Sequence, residues 1–542
     1  MSYLCQCYRC FDDEQMTVVM SFMPFMRALC CAVLLAWPLV GVASRWGDQG
    51  DGTFANPVLC ADYSDPDVIR VGRRYYMTCS EFHFMGMPIL ESEDMVNWRV
   101  VGQIFSSIPL DGYSAMSRYG GGTWAPSFRE HDGRFYMYVC TPHEGLFMSV
   151  ADDIRGPWAP LHQVKQVGGW EDPCPFWDDD GQAYLGRSQH GAGPIIVHKM
   201  SADGRELLDE GRVVYTGPVA EGTKLFKRDG YYYLSIPEGG VGTGWQQVLR
   251  SKSIYGPYEG KTVLERGATK VNGPHQGALV DTPDGEWWFF HFQSTEPLGR
   301  VVHLQPVEWR DGFPFIGTDY DGNGIGEPMT VCRKPATGVT VDPCVPQGSD
   351  TFDTSELHPM WQWNHNPDNG RWSLSGRAGW LCLQPCKALN LRSARNTLTQ
   401  KLMGYNGQAT VKLDFAALTD GCRAGLACLG TVYAGVGVLR DGDKTCLYSE
   451  QNGSVQTVQT VDPAATTIYL RLTYDAAANT FAFGYSLTGR EFMPVGDSFR
   501  EGSRDWKGAR VALYSYSAAE QQGGVAYFDD FVYTFDGAQL YD

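Results

Sequence analysis

Five times within the first 300 residues a polar turn containing glycine runs into a strand of aromatic residues, and this repeat limits the fold more than any other feature. The copies are VGRRYYMTC at Gly72, HDGRFYMYVC at Gly133, DDDGQAYLGRS at Gly181, KRDGYYYLSIP at Gly230 and PDGEWWFFHF at Gly285, spaced 61, 48, 49 and 55 residues apart. Asp-Gly before alternating aromatics is a hairpin signal, because tight hairpin turns need residues tolerant of positive φ. Hairpin units of about 50 residues are the signature of propeller blades, small antiparallel sheets set around a common axis. A sandwich of irregular hairpins is the plainer alternative, but it gives no reason for five near-equal units. Aromatics at 13% and 63 glycines, without long Ala/Glu/Lys/Leu stretches, fit short strands and turns. The expected fold is all-β, a five-bladed β-propeller over 53–320.

The residues before each turn carry the chemistry. Reading back seven to ten residues from each glycine gives Asp65, Trp124, Asp172, Glu221 and His275. Innermost strands of a propeller converge on its axis, so these five positions are expected to face one another. Three are carboxylates, which repel one another and lose solvation at a crowded centre unless they do chemistry or hold a cation. Glycoside hydrolysis needs such a set: one carboxyl stays protonated to donate to the leaving oxygen, and another stays ionised to activate water or attack the sugar. Aromatic faces supply platforms for sugar rings. Asp67 is the nearest rival to Asp65, because strand alternation puts both on one face. Glu171 beside Asp172 is expected to point to the opposite face. Asp178 to Asp180 read as a solvated turn.

The ordered set NPVLCADYSDPDVIRVGRRYYM, ILESEDMVNW, WAPSF, EDPCPFWDDDGQAYL, EGTKLFKRDGYYYL, GPHQGALV and LGRVVHLQPVEWRDGFPFIG, over about 54–320, resembles glycoside hydrolase family 43. That resemblance implies β-xylosidase, α-L-arabinofuranosidase or arabinanase activity with inversion at the anomeric centre. It implies Asp65 as general base, Glu221 as general acid, and Asp172 as the residue that orients Glu221 and raises its pKa. It further implies His275 deep in the channel beside a water-coordinated structural calcium, with no cofactor required for the reaction, and Arg300 reaching the sugar hydroxyls. Trp124 and the loop Phe82-His83-Phe84, with Phe84 taken as the substrate contact, are expected pocket walls.

Residues 321–349 are rich in Gly and Pro without periodicity and read as a linker. From 350 to 542, alternating strands divided by Asn, Asp and Gly turns predict a two-sheet β-sandwich. Segments WQWNHNPDNGRWSL and ARNTLTQ resemble the concanavalin-like jelly roll of the β-xylosidase branch, in which a sandwich loop closes one side of the pocket.

Near the N-terminus, Met26-Arg27 precedes an apolar run from Ala28 to Val42, followed by Ala43-Ser44. A cationic start, a short apolar stretch and a small-residue exit make 26–43 an expected signal peptide, with 1–25 an upstream extension. The protein is therefore expected to be exported, periplasmic or secreted, with no membrane span after cleavage. Eleven cysteines follow the leader, an odd number and too sparse for a disulfide scaffold, so most read as buried small apolar residues. With 44 Lys+Arg against 62 Asp+Glu, the net charge of −18 repels phosphate backbones and argues against nucleic-acid partners. The partner expected is an oligosaccharide or polysaccharide.

Three functions fit these readings: an exo-glycosidase releasing terminal α-L-arabinofuranosyl or β-D-xylosyl units from hemicellulose, an endo-arabinanase, and a non-catalytic carbohydrate-binding propeller. The exo-enzyme leads, with a slight lean to arabinofuranosidase, because all three carboxylates are in register and an appended sandwich loop would obstruct an open cleft.

Overall fold

In the computed structural model the described residues are 46–502, 506–520 and 523–537; the expected upstream extension and signal peptide lie outside them. Five four-stranded antiparallel sheets follow one another in chain order, each a simple meander. Their innermost strands are Asp67–Val71, Trp124–His131, Trp170–Trp177, Lys224–Arg228 and His275–Asp281. The glycine turns join the first two strands of each blade. In blades two and four they are two-residue turns in which both residues have positive φ: Asp132 (50°) with Gly133 (71°), and Asp229 (50°) with Gly230 (72°). Both members thus sit where an Asp-Gly pair costs least. Blades three and five use longer loops between Trp177 and Ala183 and between Asp281 and Trp287.

The chain preceding blade one closes the ring onto blade five. Leu59 and Val302 exchange backbone hydrogen bonds of 3.2 and 3.0 Å, and the Tyr63 amide donates to the Arg300 carbonyl at 3.1 Å. Residues 321–349, expected as a plain linker, do more than connect. Val331–Arg333 pairs antiparallel with Thr53–Ala55. Glu327 is fully buried and accepts from the Tyr320, Asp321 and Ala268 amides. The Gly/Pro composition hid these anchors, because a three-residue strand has no readable period.

The C-terminal part is a β-sandwich of an eight-stranded and a seven-stranded sheet. Alternation is plain in Thr467–Asp475, where Ile468, Leu470, Leu472 and Tyr474 point into the core and their neighbours do not. The eleven cysteines among the described residues are all free, and ten of them are buried. Among the described residues no helix is long and apolar enough to cross a membrane.

Propeller and sandwich share one continuous apolar cluster, which runs from Tyr63, Trp98 and Trp288 to Trp361, Trp363 and Leu513. Inside this contact the Glu81 carboxylate of the propeller pairs with two sandwich cations, Lys401 Nζ at 2.7 Å and Arg510 Nη2 at 2.5 Å, all three nearly inaccessible to water. Buried charges are tolerated only when paired, and removing one partner strands the others. Glu81→Ala should therefore destabilise the protein by about 3–5 kcal/mol, read as a lowered denaturation midpoint in urea.

Candidate active site

At one end of the propeller axis each blade begins with a tripeptide of the same backbone shape. These are Ser64-Asp65-Pro66, Trp124-Ala125-Pro126, Glu171-Asp172-Pro173, Glu221-Gly222-Thr223 and His275-Gln276-Gly277. The middle residue is left-handed every time, with φ of 52°, 41°, 55°, 62° and 37°. In blades two, three and five it lies at a bulge in the pairing with the next strand. Such a kink suspends strict alternation, so two consecutive side chains can face the same cavity. Gly222 is obligatory here: a Cβ would come within 2.5 Å of Pro237 and 2.9 Å of Gln276.

This geometry corrects three expectations. The repeat has two tiers rather than one, with Asp65 and Asp172 in the second position and Trp124, Glu221 and His275 in the first. Glu171, expected to face away from Asp172, is the counterpart of Glu221 one blade earlier and lines the same cavity. Asp67, expected to share a face with Asp65, does not, because Asp65 is left-handed and precedes Pro66, and the regular strand starts only at Asp67. Asp67 accepts from the Phe128 amide at 2.7 Å and pairs with Arg129 at 2.8 Å and Lys224 at 3.2 Å. It lines a separate cavity of about 280 Å³.

The axial cavity has a volume of about 330 Å³, and Asp65, Trp124, Glu171, Asp172, Glu221, His275 and Arg300 all line it. Asp65, 3% exposed, accepts from Ser80 Oγ at 2.5 Å and from Arg300 Nη1 at 2.7 Å. Asp172 accepts from Ser188 Oγ, from the Gly222 amide at 2.7 Å and from Gln276 Nε2 at 3.3 Å. Through Gly222 it fixes the backbone that carries Glu221. Glu221 is the most open of the four carboxyls, and its Oε1 lies 2.8 Å from His275 Nε2.

Two of these groups are shifted strongly. Burial pushes the Glu171 carboxyl up to about 9, and the charges of Asp172 and Glu221 add to the push. Burial, then the charge of Glu221, raises Asp172 to about 6 against hydrogen bonds from Ser188 and Gly222 that favour its ionised form.

The walls are aromatic. Phe82, Trp124 and Trp506 form edge-on contacts with ring centroids 5.9 to 6.5 Å apart. Trp506 comes from a sandwich loop, which supplies one side of the cavity, and 56% of its surface is exposed. His190 adds a ring 5.1 Å from Trp124. Phe84, expected as a wall, is instead buried among Leu391, Tyr448 and Tyr514 under the Arg510 guanidinium. A run of three aromatic-loop residues could not reveal which ring faced inward. Asp178 and Asp179 pair with Lys227, an inter-blade latch outside the cavity.

Around the water-coordinated calcium expected beside His275, the His275 Nε2 is paired with Glu221, its Nδ1 is buried without a hydrogen-bond partner, and Phe292 stands 5.3 Å from its ring. His275 belongs to neither group of three or more metal-capable side chains among the described residues, and a hard cation takes oxygen ligands, water included.

Carboxyls held at different protonation states in an aromatic-lined axial pocket are the machinery of glycoside hydrolysis. Comparison with known proteins agrees with this class. The profile of the glycosyl hydrolases family 43 matches residues 54–314, and that of the beta xylosidase C-terminal concanavalin A-like domain matches 349–534. A putative beta-xylosidase of Xylanibacter ruminicola is 54% identical over 468 residues, covering 86% of this chain and 87% of that one. A beta-xylosidase of Formosa agariphila is 38% identical, covering 91% and 92%. The crystal structure of a xylan beta-1,4-xylosidase from Bacillus halodurans superposes with a TM-score of 0.78 at 25% identity, covering 89% of this chain and 99% of that one. The chain belongs to glycoside hydrolase family 43 and is a glycosidase of the xylosidase/arabinofuranosidase type.

The raised carboxyls bear on stability. Between the ordinary carboxyl value and about 9 the native state holds more protons than the unfolded chain, so stability falls as pH rises through that window. Glu171→Gln removes the largest part of this loss. Its Tm should exceed that of the wild type by at least about 2 °C at pH 8, and the gap should close near pH 4, as read by calorimetry.

Proposed function

We propose that the protein is an inverting, exo-acting pentosidase that cleaves terminal β-D-xylosyl units, with terminal α-L-arabinofuranosyl units as companion substrates. The observation that carries this reading is the division among the axial carboxyls. Asp65 is paired with a guanidinium and held by Ser80, so it suits the base that takes a proton from water. Glu221 stands at the more open side on a backbone fixed by Asp172, so it suits the acid. Water oxygen bonds to the anomeric carbon while its proton passes to Asp65. The glycosidic bond breaks, and the departing oxygen takes the proton from Glu221.

The Arg300 guanidinium, over Phe82 and Phe292 as well as beside Asp65, is placed to meet sugar hydroxyls. Closure of one wall by Trp506 favours removal of chain ends over cutting within a chain. Xylosides lead because the relatives at 54% and 38% identity carry beta-xylosidase names. The two pentoses present similar hydroxyl patterns, which a few contacts can discriminate only modestly.

We further propose that the protein is exported through residues 26–43, a reading that rests on the sequence alone. N-terminal sequencing of the mature protein should then begin near residue 44.

Hydrolysis of aryl β-D-xyloside and aryl α-L-arabinofuranoside, followed by proton NMR, tests the scheme. The first sugar released from the β-xyloside should be α-xylose, and natural oligosaccharides should yield single pentose units. Mixed oligomers would indicate endo-cleavage, and β-xylose as first product would exclude inversion. Glu221→Gln should lose roughly 10²–10⁴-fold on xylo-oligosaccharides and much less on aryl glycosides with good leaving groups. Asp65→Asn should abolish both.

A further inference from the structure

Glu171 has no place in the two-carboxylate scheme, yet it is built into the pocket. It occupies the position in blade three that Glu221 occupies in blade four, is 7% exposed, and lines the same cavity as Asp65 and Arg300. Its Oε1 is buried without a hydrogen-bond partner, and its Oε2 lies 3.5 Å from His190 Nδ1. The charged and titratable groups acting on it are Asp172 on its own strand, Glu221 and Asp65 from neighbouring blades, and His190. The buried Cys140 thiol of blade two also feels its charge. Three of these are carboxyls, and among the described residues His190 is the one basic side chain within ion-pairing range.

A buried carboxyl in such company keeps its proton, since ionisation would place one more negative charge in a small, desolvated cavity already lined by other carboxyls. A protonated carboxyl is both donor and acceptor, and a buried oxygen left without a partner is costly unless a ligand completes it.

We infer that Glu171 is a substrate-binding residue, a neutral carboxylic acid whose O–H donates to a hydroxyl of the terminal pentose while its carbonyl oxygen accepts from a neighbouring one. This rests on the glycosidase reading of the same pocket. The role differs from those of Asp65 and Glu221, because no proton need leave Glu171 during turnover. It also sets a pH limit. Above about 9 Glu171 ionises, loses its donor and adds charge to the site, so sugar binding weakens.

The test is KM and kcat from pH 6 to 10 on aryl β-D-xyloside with an activated leaving group, for which loss of the acid's proton matters little. Glu171→Gln preserves shape and a donor but cannot ionise. Its KM should stay within about threefold of wild type at pH 7, and it should lack the rise in KM that wild type shows above pH 9. Glu171→Ala should raise KM at pH 7 by about tenfold, the scale of one lost hydrogen bond, with kcat changed much less. Should Glu171→Ala fold poorly, the comparison of wild type with Glu171→Gln across pH decides alone. An active wild type whose alkaline KM profile is shared by Glu171→Gln would overturn the assignment of Glu171 and leave the glycosidase reading intact. A wild type inactive on both aryl xyloside and aryl arabinofuranoside would overturn that reading, and this inference with it.

Discussion

Like charge crowded onto one axis is the constraint around which this molecule is organised. Asp65, Glu171, Asp172 and Glu221 line a single cavity of about 330 Å³, and Arg300, the one guanidinium lining it among the described residues, pairs with Asp65. Four ionised carboxyls could not coexist there. The protein resolves the conflict differently at each group. Asp65 has a cation and a serine hydroxyl. Asp172 has three hydrogen-bond donors. Glu221 leans on His275 at the more open side. Glu171, buried beside Asp172 and Glu221, is driven furthest toward its protonated form despite a backbone hydrogen bond from Ala192. Unequal environments around similar side chains are what let one pocket hold an acid and a base at the same pH.

The backbone makes that crowding achievable. Left-handed residues recur at the second position of all five tripeptides, and four of them are not glycine. Such residues are uncommon and collect at functional sites when the surrounding structure enforces them. In four blades the tripeptide ends in proline or carries a bulge, and the turn to the axis is made before regular pairing begins. A sheet with unbroken alternation could aim only one side chain per blade at the cavity. In blades two, three and five the kink doubles the number, and the catalytic proposals for Asp65, Asp172 and Glu221 draw on both tiers.

The blades, the sandwich and the convergence of Asp65, Asp172 and Glu221 on one cavity were legible in the sequence because each rests on a short-range signal. Glycine turns and aromatic alternation mark hairpins locally, and the repeat spacing does the rest. Glu171 was misread because a simple period of two was applied across a bulge. The cue was available: aligning Ser64-Asp65-Pro66, Trp124-Ala125-Pro126 and Glu171-Asp172-Pro173 by their proline puts Glu171, not Asp172, level with Trp124. Phe84 failed for another reason. Phe82 and Phe84 are equivalent by composition and alternation, and only the sandwich packed over Phe84 decides which ring reaches the pocket. Trp506 lies about 440 residues from Asp65, and no local pattern joins two such positions.

The sandwich does more than add a wall, because the loop that carries Trp506 is tied to the catalytic end of the propeller by the Asp62 carboxylate and by the Ala509 amide, which donates to the Pro297 carbonyl at 2.9 Å. Asp62 Oδ2 accepts from the Gly508 amide at 3.0 Å, while its Oδ1 accepts from the Arg300 amide at 3.0 Å and from Ser64 Oγ at 2.8 Å. Arg300 is the residue that pairs with Asp65, and Ser64 precedes Asp65 in the chain. One acidic side chain thus fixes the position of the proposed base, of its cation and of the pocket lid together. The Glu81 pair with Lys401 and Arg510 then holds the two bodies in the orientation that lets this contact form. Cavity shape and carboxyl electrostatics are consequently coupled through Asp62. A change in how the sandwich seats would reach Asp65 without touching any residue of the pocket.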